Sequence, residues 1–222
     1  MGSLSSGRQV KSASPPEQSA RCSSRRDLSK KLGRALHRLT DHFAAGKEII
    51  YLCQDETRLG LKTIEGKAIT AKGVKPTVKV QWKRDNFWIY GAIAPLSGEC
   101  FQQEHPKLNG ECFQSFLDWL SEQLGERWAF LHIDQAPAHM AGTIQWPENI
   151  IPVVQPAHSP ELNPIERLWQ WLKRQLKNHS FPSLDALRTR IQELFEQLTP
   201  EQVISVSSYD FILEALFYAA SH

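Results

Sequence analysis

Three acidic side chains stand where a carboxylate can be delivered to a shared site. Asp55 lies in QDETRLGL, Asp134 in LHIDQAPAH and Glu166 in SPELNPIERLW. Carboxylate oxygens are the ligands that hard divalent cations such as Mg²⁺ take, one or two per ion, with substrate phosphates completing the shell. Three carboxylates can hold two ions about 3.5–4 Å apart, an arrangement suited to in-line displacement at phosphorus. Each acid also has an ordinary structural use. An Asp that closes a strand caps the next helix or shapes a turn, which covers Asp134 and Asp55. Asn163, Pro164 and Glu166 match the N-cap, first and third positions of a capped helix, and a first-turn Glu suits the helix dipole. Taken singly, the structural uses suffice. Taken together, two Asp follow apolar strands and a Glu sits at the rim of a packing helix.

Such residues need elements to present them. Ile49–Cys53 is an apolar run that reads as a buried strand, ending at Gln54-Asp55-Glu56. Residues 57–75 read as a polar loop or ragged arm, and Thr77–Trp82 alternates before a turn at Lys83-Arg84-Asp85-Asn86. Phe87–Ala94 and Glu99–Gln103 continue an antiparallel meander. Asn109 caps a helix whose apolar positions include Phe113, Phe116, Leu117 and Leu120, and Gly125 stops it. Trp128–Ile133 is a strand ending at Asp134, Ala136–Thr143 is expected to form a short helix, and Ile150–Val154 is another strand. Leu162, Ile165, Trp169, Leu172 and Leu176 recur at helical spacing, so a helix from Asn163 or Pro164 to about Asn178 buries that face. Glu166 lies on its edge beside Gln170 and Lys173. Helices over 183–198, capped by Ser183, and over 201–220 close the chain. The order β-β-β-α-β-α-β-α predicts an α/β fold, a mixed five-stranded sheet with helices on both faces. Both Asp are then expected just past strand C-termini, where open sheets place ligands.

The three motifs, in this order, resemble those of the acidic-triad (DDE) transposases, in the mariner-like superfamily and within it the bacterial insertion-sequence 630 family. The resemblance spans roughly residues 48–200, and 31 residues separate Asp134 from Glu166. It implies a ribonuclease H-like fold and makes Asp55, Asp134 and Glu166 the catalytic metal ligands. It implies two Mg²⁺ ions, with Mn²⁺ as substitute, and DNA cleavage at element ends followed by attack of the freed 3′-hydroxyl on target DNA. The implied partners are terminal-repeat and target DNA and a second copy of the chain. His139 matches the family's His, while Gln135 stands where members commonly have Asn; both take secondary roles. Lys173, Arg174 and Lys177, on the third acid's helix, are expected to contact DNA phosphates, as are Arg58, Lys62, Lys67, Lys72 and Lys75. A solvated charged face explains both sets equally well. The family usually carries a helix-turn-helix region ahead of the first Asp. This chain therefore reads as the second part of a split or truncated transposase, with a separately encoded helix-turn-helix subunit. The competing expectation is an inactive relic or a DNA-binding ribonuclease H-like module.

Composition agrees with a globular domain: 41% of the 222 residues are hydrophobic and 23% charged. No apolar run approaches the roughly 18 residues of a membrane span, and a cytoplasmic location is expected. Cys22, Cys53, Cys100 and Cys112 form no CxxC pair, which argues against a zinc ribbon. The net charge of +2 divides into +6 over residues 1–46 and −4 over the rest. Residues 1–46 read as a basic leader, disordered except for an amphipathic helix with Leu28, Leu32, Leu36, Leu39 and Phe43 on one stripe. Residues 47–222 read as the catalytic domain with its C-terminal helices.

Overall fold

The computed structural model describes residues 29–30, 32–34, 36–38, 47–64, 81–156 and 162–221. Five strands form one mixed sheet: β1 (Ile49–Gly60), β2 (Asn86–Ile93), β3 (Cys100–His105), β4 (Trp128–Ile133) and β5 (Ile150–Val154), in the order β3-β2-β1-β4-β5. The β1–β2 and β2–β3 pairs are antiparallel; β1–β4 and β4–β5 are parallel. Helix α1 (Gly110–Leu124) covers one face. Helices α2 (Ile165–Gln175), α3 (Leu184–Glu196), α4 (Pro200–Ser207) and α5 (Asp210–Ser221) gather on the other.

Strand alternation sorts the core into two layers. Ile50, Leu52, Tyr90, Ala92, Leu131 and Ile133 pack with Phe113, Phe116, Leu117 and Leu120 of α1. Tyr51, Cys53, Phe87, Ile89, Ile93 and Phe130 pack with Ile165, Leu168, Trp169 and Leu172 of α2 and with Leu187, Ile191 and Leu194 of α3. Leu32 and Leu36, in the helical residues of the leader, are buried in this second layer. Leu28, Leu39 and Phe43 lie outside the described residues, as do Lys67, Lys72, Lys75 and Thr77–Val80. Among the described residues no helix is long and apolar enough to cross a membrane.

The mixed sheet and the helices on both faces are those expected; four local features differ. β1 does not stop at Cys53 but runs on to Gly60, because β2 supplies an antiparallel partner from Cys53↔Ile93 to Gly60↔Asn86. Asp55 is therefore within a strand, not past its end. Residues 136–143 form no helix: the Ala136 carbonyl accepts from both His139 and Met140 N–H, and the coil goes no further. Gly142 disfavours continuation, and the His139 side chain is committed elsewhere. α2 ends at Gln175, with Leu176 at its C-cap and Asn178 in the left-handed region at φ 60°. The last helical stretch is two helices, broken at Ser208, whose backbone is extended.

Candidate active site

The parallel β1–β4 ladder ends at the pair Cys53↔His132. Two residues further along each strand's chain come Asp55 and Asp134, so the register sets both acids just past the end of the parallel ladder. They arrive in different settings.

Asp55 points to the α2 face. Its Oδ2 accepts from Trp169 Nε1 at 3.1 Å. The indole can lie there because Gly91 is the cross-strand partner of Asp55. A Cβ on Gly91 would fall 2.6 Å from Trp169 Cη2 and 2.9 Å from Cζ2, so no other residue fits without moving the ring. Burial raises the Asp55 carboxyl to about 8, and the negative charges of Glu56, Glu166 and Asp134 add to the rise.

Asp134, just beyond β4, is half-exposed. Its Oδ1 accepts from the Ala136 backbone N–H at 2.8 Å and from His139 Nδ1 at 2.7 Å. The His139 hydrogen bond leads in holding Asp134 below the ordinary carboxylate range, against the opposing effect of burial. His139, expected on a short helix, is buried. Its Nε2 donates to Glu56 Oε1 at 2.8 Å, and Phe113 packs against its ring. Burial works against the charged ring, but hydrogen bonds to Asp134 and Glu56 outweigh it and push His139 up to about 10.

Glu166 is the second residue of α2 and half-buried. The capping arrangement read from Asn163, Pro164 and Glu166 does not form: the N-cap is Pro164, with no side-chain cap bond. Asn163 instead turns to the sheet. Its Nδ2 donates to the Gln54 carbonyl at 2.7 Å, and its Oδ1 accepts weakly from Ile165 N at 3.4 Å. Gln54 is the first β1 residue past the last β4 pair, so its carbonyl is open to a side chain. That bond ties the start of α2, and hence Glu166, to the strand bearing Asp55. Ser159–Glu161 of the third motif lie outside the described residues.

The other candidates stand apart. Gln135 is exposed, and its Nε2 donates to the Gln155 carbonyl at 2.9 Å, past the end of β5. Arg174 and Lys177 are exposed and Lys173 is partly so. Lys177 lies beyond α2 and bridges to Ile64.

The acids match a hard divalent cation in donor type and charge. All three offer oxygen, and crowding of negative charge is among the causes that lift Asp55. Their side chains are not drawn into ligating contact: among the described residues no group of three or more His, Cys, Asp or Glu stands close enough to hold a metal ion. Three participants were missed in the sequence: Glu56, Gly91 and the Trp169 N–H. Two had a signal. A second acid next to Asp55 in a strand must face the opposite layer, and a glycine within FWIYGAI marks a close approach.

Residues 51–188 match the family described as DDE superfamily endonuclease. The chain is similar to the uncharacterized protein y4pE/y4sA of Sinorhizobium fredii (strain NBRC 101917 / NGR234), 29% identical over 123 residues, 54% of this chain and 91% of that protein. It is also similar to the transposable element Tcb1 transposase of Caenorhabditis briggsae, 33% identical over 95 residues, 36% of this chain. The matched stretch spans only 34% of that transposase. In three dimensions it resembles the mariner Mos1 paired end complex with Mg, with a TM-score of 0.58 at 19% identity, over 100% of this chain and 67% of that one. At that identity the likeness establishes the fold, the ribonuclease H-like sheet expected from the motifs.

Proposed function

This chain belongs to the DDE superfamily endonuclease family, and from that premise we propose that it is the DNA-cutting domain of a mariner-like transposase. The observation that carries the reading is that the β1–β4 register sets Asp55 and Asp134 just past the last pair of the parallel ladder, with the head of α2, which carries Glu166, tied to β1 through Asn163. Asp55, Asp134 and Glu166 would hold Mg²⁺, or Mn²⁺ in its place, as two ions. When bound, such ions stabilise charge on the reacting phosphate and lower the pKa of the attacking water. The chain's own residues prepare the site. Trp169 and Gly91 hold Asp55 against the sheet, and His139 fixes one oxygen of Asp134. The core face of α2 sets the position of Glu166. Lys173 and Arg174 are in the last turn of the helix that carries Glu166, and with Lys177 just beyond it they are suited to DNA phosphates, which makes binding salt-dependent.

The same reading extends to strand transfer by the freed 3′-hydroxyl into target DNA, to pairing of two copies on two DNA ends, and to a separately encoded helix-turn-helix subunit. Residues 47–222 would be the catalytic unit and residues 1–46 its basic leader.

The test uses the DNA ends that flank the chain's coding sequence. Cleavage should require Mg²⁺ or Mn²⁺ and stop with EDTA. Asp55→Asn, Asp134→Asn and Glu166→Gln should each lower the rate by about a hundredfold or more, since each removes stabilisation of transition-state charge. Equal cutting by wild type and Asp134→Asn would overturn the reading.

A further inference from the structure

Asp55 faces one layer of the sheet, and its neighbours Gln54 and Glu56 face the other, as strand alternation requires. Those two neighbours reach the other acid-bearing segments. The Gln54 carbonyl holds Asn163 at the head of α2. The Glu56 carboxylate holds His139, which holds Asp134. Glu56 and His139 are deeply buried, at 5% and 1% side-chain exposure, whereas Asp134 at the end of the chain of contacts is 40% exposed. Gln54 Nε2 donates to the same Glu56 oxygen at 2.8 Å, and Phe113 supports the His139 ring with centroids 4.3 Å apart.

Both nitrogens of His139 lie on carboxylate oxygens. An ionised carboxylate only accepts, so the ring donates from both sides and its orientation is set from both ends. At Asp134 the bonds from His139 and the Ala136 N–H fall on Oδ1. No hydrogen bond from the described residues reaches Oδ2, which is left for a ligand.

We propose that Glu56 is a positioning residue for the reaction: acting through His139, it fixes the rotation of the Asp134 carboxylate and so selects the oxygen offered to the metal. The inference rests on the reading of Asp134 as a metal ligand. A buried ion pair by itself is poor evidence for a stability role, since apolar residues of like volume often serve as well. A relay that ends on a solvent-facing carboxylate makes a different prediction. Partners that orient metal ligands typically change metal affinity about 10–100-fold when removed.

The experiment measures Mn²⁺ binding to the full chain without DNA, from the spin resonance signal of free Mn²⁺, with circular dichroism giving the folded fraction. Glu56→Met fills the space but removes the acceptor; Glu56→Ala replaces it if methionine does not fold. Either should weaken Mn²⁺ binding about 10–100-fold at an unchanged folded fraction. Glu56→Gln should recover most of that loss, because its amide oxygen still accepts from His139 Nε2. Joining the Glu56 change to His139→Ala should cost no more than His139→Ala alone, since both act along one path. Wild-type affinity in the folded Glu56 variants, or additive losses in the double variant, would overturn the relay. Asp134→Asn is the reference. If it binds Mn²⁺ like wild type, the ligand reading falls and the relay with it; if it loses Mn²⁺ while the Glu56 variants do not, the relay alone falls.

Discussion

Asp55 and Asp134 are set just past the end of one parallel ladder by adjacent strands, yet their surroundings are opposed. Asp55 is enclosed, has a neutral indole N–H as its side-chain donor and carries three other acids in its field, so it keeps its proton to about 8. Asp134 is half in solvent and is bound by a cationic ring, so it gives up its proton more readily than a free carboxyl. A pair of like residues thus spans a wide range of proton affinity through enclosure and partner alone. The lesson is that β1 places charge where it is costly, while the loop after β4 places it where it is compensated.

The contrast breaks most visibly if the compensating ring is removed. His139→Ala leaves Glu56 buried without its cationic partner, and uncompensated burial of that kind costs about 3–5 kcal/mol. Urea unfolding of the metal-free chain should show a loss in this range. A loss below about 1 kcal/mol, the level of an exposed ion pair, would mean that the Glu56–His139–Asp134 chain is slack and that the two acids differ less than their contacts imply.

The Asp55 side depends on close packing instead of charge. Gly91→Ala would push a methyl into the Trp169 ring, an overpacking cost of about 1–3 kcal/mol. The displaced indole should also release Asp55 Oδ2. The expected result is a lower melting temperature together with a shift in Trp fluorescence. A variant with wild-type stability and unchanged emission would show that the ring has room to spare, and that Asp55 is not held by it.

Legibility in the sequence followed the range of the interactions. α1 and α3 could be read because cap and stripe lie within a few residues: Asn109 accepts from Cys112 N, and Ser183 from Ala186 N. The buried face of α2 followed from its period. The extension of β1 through Gln54–Gly60 could not be read, since polar residues interrupt the apolar run and the ladder bonds come from β2, some 30 residues away. The absence of a helix over 136–143 has the same origin, as His139 is drawn to Glu56, 83 residues earlier. Motif order singled out the three acids as candidates. Their different environments could not, because Trp169, Gly91 and Glu56 meet them only through the tertiary fold.

The smallest effect separates the two acids by pH. Unfolded, Asp55 titrates near 3.8; folded, near 8. Between those values the native chain holds a proton that the unfolded chain has released, so stability falls as pH rises. The Asp55 contribution is complete below the lower value and is lost as pH passes through the upper one. Asp134 has the reverse sign: its folded value is depressed, so its contribution is present above 3.8 and lost as pH falls through the folded value. Burial lowers His105 and His132 from the ordinary His value, and they add a slope of opposite sign. Between about pH 4.5 and 6 they are common to wild type and Asp55→Asn, so the difference between those two isolates Asp55. Relative to wild type, Asp55→Asn should make the stability slope there more positive by at most about 1.4 kcal/mol per pH unit, the limit for one proton. Asp134→Asn should leave that slope unchanged and alter only the more acidic limb, weakly, since water screens a side chain that is 40% exposed. Urea titrations in EDTA at closely spaced pH values would resolve the two variants. If wild type and Asp55→Asn run parallel through this window, Asp55 behaves as an ordinary solvated carboxylate, and the opposition between the two acids disappears.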